Sequence, residues 1–200
     1  MLTNKNVQMH LKDIATIASG IYAKPSMTGE AIYLQATYFD AYGRLDATVK
    51  PDLKLNSRQQ KHLLQDGDIL FAAKGLKNFS VIYREVMGRA VASSVFFVIR
   101  IEKHSRVNPE FLAWCLNHPE SQRYYKAYAK GSSIPSISKK VLEDLDLPIP
   151  PMHTQSQILR LQQLHNRERE LIEKIDRFKN QVMQALMMRK AKENTSTHGK

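Results

Sequence analysis

Apolar residues are spaced differently in two parts of the chain. From about Leu11 to Pro151, short apolar segments are interrupted by Gly, Pro and Asn, and their spacing changes between two residues and about 3.6 residues. From Thr154 to about Lys190 the chain contains no Gly and no Pro. The first part is typical of a domain built from strands and helices, and the second of one long helix.

Several segments of the first part predict short strands. These are residues 32–39, 68–73, 80–84 and 94–101, which are rich in β-branched and aromatic residues or follow a turn dipeptide. The last two are expected to pair as antiparallel strands, and residues 11–18 to form a short helix. The expected fold class is α+β, with short, mostly antiparallel strands, peripheral helices and a long C-terminal coiled-coil helix.

Proline and glycine predict where the helices of the first part begin and end. Asn108 can cap a helix that has Pro109 at its first position, and Pro119 opens a second helix that Gly131 closes. Residues 139–144 can form another short helix. The prolines of residues 147–151 prevent helix, so we expect a domain over 1–151, a long helix over 152–190 and a disordered tail over 191–200.

The long helix carries an apolar seam. Thr154 and Gln157 fit a capping box at its start, and alternating steps of three and four residues run from Leu161 to Ala185, interrupted only by Glu168. The predicted interface residues are Ile158, Leu161, Leu164, Leu171, Ile172, Ile175, Phe178, Val182 and Leu186. A helix over residues 154–190 would be about 55 Å long. We therefore favour pairing with a second copy or another protein over packing against the chain's own domain.

Charge and cysteine content narrow the class of partner and compartment. Thirty Lys and Arg against nineteen Asp and Glu give a net charge of +11, which indicates an anionic partner, nucleic acid first. The single cysteine, Cys115, excludes an internal disulfide. The chain has no apolar run long enough for a membrane span and no secretory signal at its N-terminus. These features predict a cytoplasmic protein.

No catalytic signature is convincing. Pro51-Asp52 is not followed by the Glu-x-Lys or Asp-x-Lys of a metal-dependent nuclease, and Pro150-Pro151 lacks the flanking residues of an adenine methyltransferase motif. The seven histidines are scattered and no phosphate-binding loop is present. Cys115 lies on the apolar face of a predicted helix, where a packed thiol is the better interpretation. The chain is expected to bind rather than to catalyse, with no metal and no cofactor.

Five segments, read in order, resemble the specificity subunit of type I restriction-modification systems. They are residues 11–20, residues 65–75 with Gly-Asp-Ile-Leu, residues 107–112, residues 131–138, and residues 142–158, where Leu-Pro-Ile-Pro-Pro leads to Gln155 and Gln157-Ile158. The resemblance implies a target-recognition domain followed by a conserved spacer helix. It also implies DNA binding and partnership with adenine methyltransferase (modification) and restriction subunits, with no catalytic centre in the chain itself.

One departure from the family pattern bears on assembly. A complete subunit of this family has two recognition domains and two spacer helices packed antiparallel, whereas this chain has one of each. It resembles a half subunit, whose second half is an identical chain, a sister half subunit or a part lost by truncation; in the first two cases we expect a homodimer or pairing with a second half subunit. The two halves would then read two inverted half-sites.

Loop cations and donors are the candidate DNA contacts. We rank residues 74–78 first, because a glycine there lets the backbone approach the duplex. The glycine-serine loop with its flanking lysines ranks second, and turn-adjacent cations and one tyrosine follow. The candidates are Lys74, Lys77, Asn78, Lys130, Ser132, Ser133, Lys139, Lys140, Lys24, Arg44, Arg89 and Tyr22.

Two other classes of function fit the sequence. A protein-interaction adaptor would act through its coiled-coil helix, its positive charge serving solubility alone. A nuclease with an unrecognised site would cleave DNA in the presence of a metal. Salt-dependent binding to duplex DNA would separate DNA recognition from the adaptor, because counterion release produces a steep salt slope.

Overall fold

A four-stranded sheet forms the centre of the first part of the chain. The computed structural model describes residues 7–40, 43–75, 77–131 and 135–195. The strands are β1 (Val7–His10), β2 (Ala15–Ser19), β3 (Ile32–Leu34), β4 (Ile69–Ala72), β5 (Ser80–Ile82), β6 (Ala90–Ala92), β7 (Phe96–Ile101) and β8 (Asp146–Ile149). The central sheet has the order β2-β7-β4-β5 and is antiparallel throughout.

Two smaller pairs accompany the central sheet. β1 pairs antiparallel with β8, and β3 pairs parallel with β6 so that Ile32 lies opposite Ala90. The helices are α1 (Ser57–Gln60), α2 (Pro109–Asn117), α3 (Pro119–Tyr128), α4 (Lys139–Glu143) and α5 (Met152–Thr195). Short 3-10 helices lie at Leu11–Asp13, Ala36–Tyr38 and Glu85–Met87. The expected α+β class, with antiparallel strands and a long C-terminal helix, is confirmed.

The helix predicted for residues 11–18 is wrong. After one 3-10 turn the chain forms β2, in which Ala15 and Ile17 are buried while Thr16 and Ala18 are exposed. All five residues of β2 pair with β7. The apolar positions fitted either period, and the neighbouring strand selected the period of two.

Two strand predictions also need correction. The predicted pair of 80–84 with 94–101 does not form, because β4 lies between β5 and β7 and bonds to both. In residues 32–39 the strand stops at Leu34, and a 3-10 turn follows. α2, α3 and α4 form where they were predicted, but α3 ends at Tyr128 with Ala129 as its cap, so Gly131 does not close it. The Asn108 side chain accepts hydrogen bonds from the amides of Glu110 and Phe111, as its capping role requires.

One part of the core lies between the central sheet and the helices that follow it, and another packs around β3 and β6. β4 is buried along its whole length, and Phe71 packs edge to face against Tyr125 of α3 with ring centroids 5.0 Å apart. The side chain of Asn117, at the end of α2, accepts from the Ser80 amide at 2.7 Å and donates to the Ser80 carbonyl at 2.8 Å. These contacts hold α2 and α3 against the sheet.

One buried ion pair joins the turn before β4 to β7. Asp68 is 1% exposed, and its carboxylate accepts from Nε and Nη2 of Arg100 at 2.7 and 2.6 Å. The same carboxylate accepts from the amide of Gln65 at 2.8 Å. The hydrogen bond to Asp68 raises the pKa of Arg100, so the guanidinium keeps its positive charge at neutral pH.

α5 starts two residues earlier than the predicted capping box. Its first turn begins at Met152, and the amides of Thr154 and Gln155 donate to the carbonyl of Pro151. Gln155 is fully buried; its side chain accepts from the Asn108 amide at 2.9 Å and donates to the carbonyls of Arg106 and Pro150. The proline run and Gln155, rather than Thr154, fix the start of the helix.

α5 also extends further than predicted. It continues to Thr195, so residues 191–195 of the predicted tail are helical, and residues 196–200 lie outside the described part of the chain. Contacts divide the chain into one unit over residues 1–156 and another over residues 157–200. No helix among the described residues is long and apolar enough to cross a membrane.

Candidate nucleic-acid interface

The turn between β6 and β7 gathers loops that are far apart in sequence. On one side, Ile21 forms a parallel β-bridge with Ser93, and the Ile21 amide donates a hydrogen bond to the carbonyl of Ala92 at 3.0 Å. On the other side, the Ala73 amide donates to the carbonyl of Val95 at 2.9 Å. Tyr22 and Lys74, the next residues along the chain, therefore lie on either side of this turn.

The two highest-ranked loops are paired with each other through the backbone. Ser136 forms an isolated antiparallel β-bridge with Lys74 and another with Lys130, and its amide donates to the carbonyl of Lys130 at 2.9 Å. The Gly75 amide donates to Pro135 at 3.0 Å and the Ile137 amide to Ala73 at 2.8 Å. The side chains of Lys74, Lys77 and Lys130 are all at least partly exposed there. We call the group of Tyr22, Lys74, Lys77 and Lys130 the β6–β7 edge.

Gly75 is needed at this edge for its backbone conformation. Its φ is +121°, a region that residues with a Cβ rarely adopt, while no atom of the described residues lies within 4 Å of where a Cβ would stand. The peptide of Gly75 is thus open on the side-chain face. That openness fits the close backbone approach to a duplex that the sequence predicted.

Tyr22 is held in an exposed position by a buried tyrosine. The Tyr33 hydroxyl accepts from the Ala23 amide at 3.2 Å and donates to the Ile21 carbonyl at 2.9 Å, so it fixes the backbone on both sides of Tyr22. Tyr33 is 6% exposed, whereas Tyr22 is 86% exposed. An aromatic ring fixed in this way can stack on a base or a sugar without first losing backbone entropy.

The candidate cations differ in how far their charge is neutralised. Lys74, Lys77 and Lys130 have no ion pair with any residue that the structure describes. By contrast, Lys139 pairs with Glu143 at 3.5 Å and Lys140 with Asp144 at 3.2 Å. Asp144 also receives a hydrogen bond from Lys12, which is the main cause of its lowered pKa. Within the described ranges, the uncompensated positive charge therefore lies at the β6–β7 edge rather than on α4.

The remaining candidates are placed elsewhere or already engaged. Arg44 pairs with Asp40 at 2.9 Å, and the side-chain Nδ2 of Asn78 donates to the Ala72 carbonyl at 2.9 Å, which fixes the loop after β4. Arg89 directly precedes β6 and Ser93 directly follows it, so Arg89 lies at the far end of that strand from the β6–β7 turn. Lys24 is exposed in the loop before β3. Ser132 and Ser133 lie outside the described residues.

The sequence missed the residue that joins the two loops. Ser136 had no charge, aromatic ring or glycine beside it to single it out, and its importance comes from pairing with Lys74 and Lys130. The β6–β7 turn, residues 93–95, was likewise absent from the prediction. Both depend on contacts between distant segments, which no local pattern records.

The structure also bears on catalytic chemistry. Among the described residues, no three His, Cys, Asp or Glu side chains are grouped as metal ligands would be. Cys115 is 3% exposed, and burial raises the pKa of its thiol to about 12. At neutral pH this thiol is protonated and packed, so it is unsuited to act as a nucleophile.

The apolar seam of α5 is exposed on the single chain. The eight predicted interface residues from Leu161 to Leu186 are between 44% and 67% exposed, and Ile158 is half-buried. Met183, Met187 and Met188, which the prediction omitted, are also exposed. The described residues of the chain therefore leave the seam uncovered.

A small α+β domain with a cationic edge, followed by a long helix with an uncovered apolar face, defines the class of this protein. It belongs to the type I restriction modification DNA specificity domain family, whose sequence model matches residues 4–177. The family consists of specificity domains, which are the non-catalytic part of these systems. The predicted family and the absence of catalysis are thereby confirmed.

Relatives agree with the family assignment. The specificity subunit of the type I restriction enzyme MjaVIII from Methanocaldococcus jannaschii is 29% identical over 65 residues, which is 32% of this chain and 15% of that protein. The type I S subunit from M. genitalium superposes with a TM-score of 0.58 at 14% identity, over 84% of this chain and 41% of that one.

Two further structures show the same fold. The HsdS subunit from Thermoanaerobacter tengcongensis gives a TM-score of 0.58 at 17% identity, over 80% of this chain and 37% of that one. A structure described for complex assembly and conformational transition of the type I R-M system gives 0.59 at 16% identity, over 82% and 39%. This chain spans about two fifths of each of these three proteins.

Proposed function

We propose that this chain supplies one recognition domain and one spacer helix of a type I restriction-modification specificity subunit, and that the domain of residues 1–151 reads one DNA half-site. The observation that carries the proposal is the family match over residues 4–177, which covers nearly all of that domain and the first part of α5. The net charge of +11 and the lysines of the β6–β7 edge, which have no ion pair among the described residues, supply the attraction to DNA.

The β6–β7 edge is the proposed centre of the DNA contact. Lys74, Lys77 and Lys130 would bind phosphates, and Tyr22 would contact a base or sugar. Gly75 leaves the backbone open to the duplex. The weaker candidates, Lys24, Arg44, Arg89, Lys139 and Lys140, would add long-range attraction, and Asn78 would hold the loop in shape.

Replacing both edge lysines of the first loop tests this assignment. The double variant Lys74→Ala, Lys77→Ala should bind its duplex about tenfold more weakly at moderate salt and lower the slope of log K against log salt by about 2, because two phosphate contacts are lost. The matched control, Lys139→Ala with Lys140→Ala, removes the same charge but should weaken binding by less than about threefold, since both lysines are ion-paired. Equal losses in the two double variants would remove the edge from the interface. A flat salt slope for the unmodified chain would instead favour the adaptor.

The second half of the proposal concerns α5. Its 44 residues make a helix about 66 Å long, and we propose that it pairs antiparallel with a second copy or a sister half subunit. In a parallel pair in register, the two Glu168 side chains would meet inside the seam, and like charges there are destabilising. An antiparallel pair separates them and places the two domains at opposite ends, ready for two inverted half-sites.

Co-expression with a type I adenine methyltransferase subunit tests the partnership. Mapping of newly methylated adenines should give a two-part site with inverted, identical halves if the chain pairs with itself. Deletion of α5 should abolish the methylation. Methylation at a single, undivided half-site would contradict the paired arrangement, and no new methylation would contradict the partnership with that enzyme.

A further inference from the structure

A small notch lies at the β2 edge of the central sheet, beside the loop that follows α1. Its volume is about 100 Å³, several times the roughly 10–15 Å³ that one water molecule needs. Thr16, Ala18 and Gly20 line it on the side of β2, and Lys61 and His62 line it on the side of the loop. We call this opening the β2 notch.

The register of the sheet brings Arg100 of β7 into the β2 notch. Thr16 lies opposite Arg100, and Ala18 lies opposite Val98. Residues directly opposite each other in an antiparallel pair have their side chains on the same face, and both Val98 and Arg100 line the notch. The Thr16 hydroxyl makes only a long hydrogen bond, of 3.4 Å, to the Arg100 carbonyl, so it can turn towards a ligand.

Asp68 holds the guanidinium of Arg100 without using all of its donors. The two hydrogen bonds to the buried carboxylate come from Nε and Nη2, whereas a guanidinium has five N–H groups. The other three, two on Nη1 and one on Nη2, have no hydrogen-bond partner among the described residues. They form a second fork of the kind that binds two phosphate oxygens. The Arg100 side chain is 43% exposed, so a ligand can reach this fork.

Lys61 gives the β2 notch its net positive charge, because Asp68 offsets the charge of Arg100. The Lys61 side chain is exposed and has no ion pair with any residue that the structure describes. None of the described residues that line the notch is Asp or Glu. The notch therefore combines one uncompensated cation, a fixed fork of N–H donors and a hydroxyl, which are the groups that bind an oxyanion.

The β2 notch lies close to the β6–β7 edge without being part of it. Gly20 lines the notch, and the next residue, Ile21, is held against Ser93 by a β-bridge. Tyr22 follows, four residues beyond Ala18, and four residues span at most about 14 Å. That distance corresponds to about four base-pair steps of 3.4 Å. A duplex bound at the edge can therefore reach the notch with a further phosphate.

We propose that the β2 notch binds one phosphodiester group of the DNA backbone, in addition to the contacts of the β6–β7 edge. This inference rests on the DNA binding that forms part of the proposed function. Lys61 supplies the charge, the free fork of Arg100 binds two phosphate oxygens, and the Thr16 hydroxyl donates to one of them. Such a contact carries no sequence information, but it fixes the orientation of the domain on the duplex.

A Lys61 variant tests the notch without disturbing the buried pair of Asp68 and Arg100. Lys61→Ala should weaken binding to duplexes of any sequence by about threefold to tenfold and lower the slope of log K against log salt by about 1, because one phosphate contact is lost. Fluorescence anisotropy between about 50 and 200 mM salt measures both quantities.

The matched control is Lys103→Ala, which removes the same charge from the turn after β7, outside the notch. Lys103 is also exposed and without an ion pair among the described residues. Its replacement should change duplex binding by less than about twofold. Equal losses in Lys61→Ala and Lys103→Ala would show an effect of overall charge alone and would overturn the proposed site.

Filling the notch is an independent test. Ala18 is exposed and lines the notch, so Ala18→Leu places an uncharged side chain there without removing a core contact. It should weaken duplex binding as much as Lys61→Ala does, with an unchanged melting temperature. The double variant should bind no more weakly than either single variant, because both remove the same contact. Losses that add in the double variant would contradict a shared phosphate site.

Inorganic phosphate distinguishes a DNA contact from a site for a free anion. Its binding can be followed by the NMR signals of the Ala18 and Gly20 amides. If Lys61→Ala abolished phosphate binding but left duplex binding unchanged, the assignment to DNA would be wrong.

Two further outcomes separate this inference from the proposed function. Normal duplex binding by both notch variants, together with weaker binding by the Lys74→Ala, Lys77→Ala double variant, would place the notch outside the interface and leave the proposed function standing. An unmodified chain without salt-dependent duplex binding would overturn both.

Discussion

Replacing Arg100 with methionine should lower the free energy of unfolding by about 3 kcal/mol, because it leaves the Asp68 carboxylate buried without its counter-ion. Asp68 is 1% exposed and holds Arg100 by two hydrogen bonds of 2.7 and 2.6 Å. Methionine keeps most of the aliphatic packing of Arg100 but none of its charge. We place the loss at the low end of the range for broken buried pairs because the Arg100 side chain is 43% exposed. Urea unfolding at pH 7, followed by circular dichroism, measures the effect.

A second substitution separates loss of charge from loss of packing. Adding Asp68→Asn to Arg100→Met removes the unpaired charge but keeps an oxygen that can accept from the Gln65 amide. The double variant should therefore be more stable than Arg100→Met alone. The control Lys140→Met breaks an exposed pair and should cost less than about 0.5 kcal/mol. A double variant less stable than Arg100→Met would mean that burial of charge is not the cause.

The ion pair illustrates what the sequence alone conveys about this fold. Asp66-Gly67 marks a turn, and Gly67 has a φ of +85° there. Nothing nearby reveals that Asp68 will be buried against Arg100, 32 residues further on. Local signals succeeded where the stabilising contact is local: Asn108 caps α2, and Pro119 starts α3.

The failed predictions share a physical cause. Residues 11–18 place apolar side chains where either a helix or a strand could bury them, and β7 decides in favour of a strand. Residues 80–82 and 96–101 follow each other closely, but β4 lies between them in the sheet. In both cases hydrogen bonding to another strand decides the outcome: β7, distant in sequence, pairs with β2, and β4, the strand before β5, bonds to both β5 and β7 and so separates them.

The candidate interface could be predicted by residue type but not by grouping. Lysines beside glycine marked the loops around Gly75 and Gly131, and Tyr22 was flagged as an exposed aromatic candidate. That Lys74 and Lys130 share one backbone partner, Ser136, follows from the fold alone. Lys74 has no ion pair among the described residues, whereas Lys140 pairs with Asp144. That difference depends on where Asp144 lies in the fold, and it changes the ranking of the candidate residues.

Replacing Ile175 with aspartate should abolish pairing through α5 and raise the dissociation constant more than about hundredfold. Ile175 lies in the middle of the seam and is 51% exposed on the single chain, so the domain itself loses no core contact. In a two-fold pair the substitution occurs twice, and each carboxylate would be buried among Leu171, Phe178 and their counterparts. An unpaired charge in such a place costs several kcal/mol, and each 1.4 kcal/mol is a factor of about ten.

The matched control is Gln184→Asp, which makes the same change in charge on the opposite face of α5. It should leave both the dissociation constant and the melting temperature within error of the unmodified chain. Analytical ultracentrifugation over a range of concentrations measures the pairing, and DNA binding of the two variants links it to function.

A paired chain holds two half-sites at once and gains affinity from the second through its effective concentration. The Ile175→Asp variant should therefore bind a single half-site normally but lose the extra affinity for the two-part site. If it kept that extra affinity, recognition of both halves would have to reside in one domain, and α5 would not serve to pair two half-site readers.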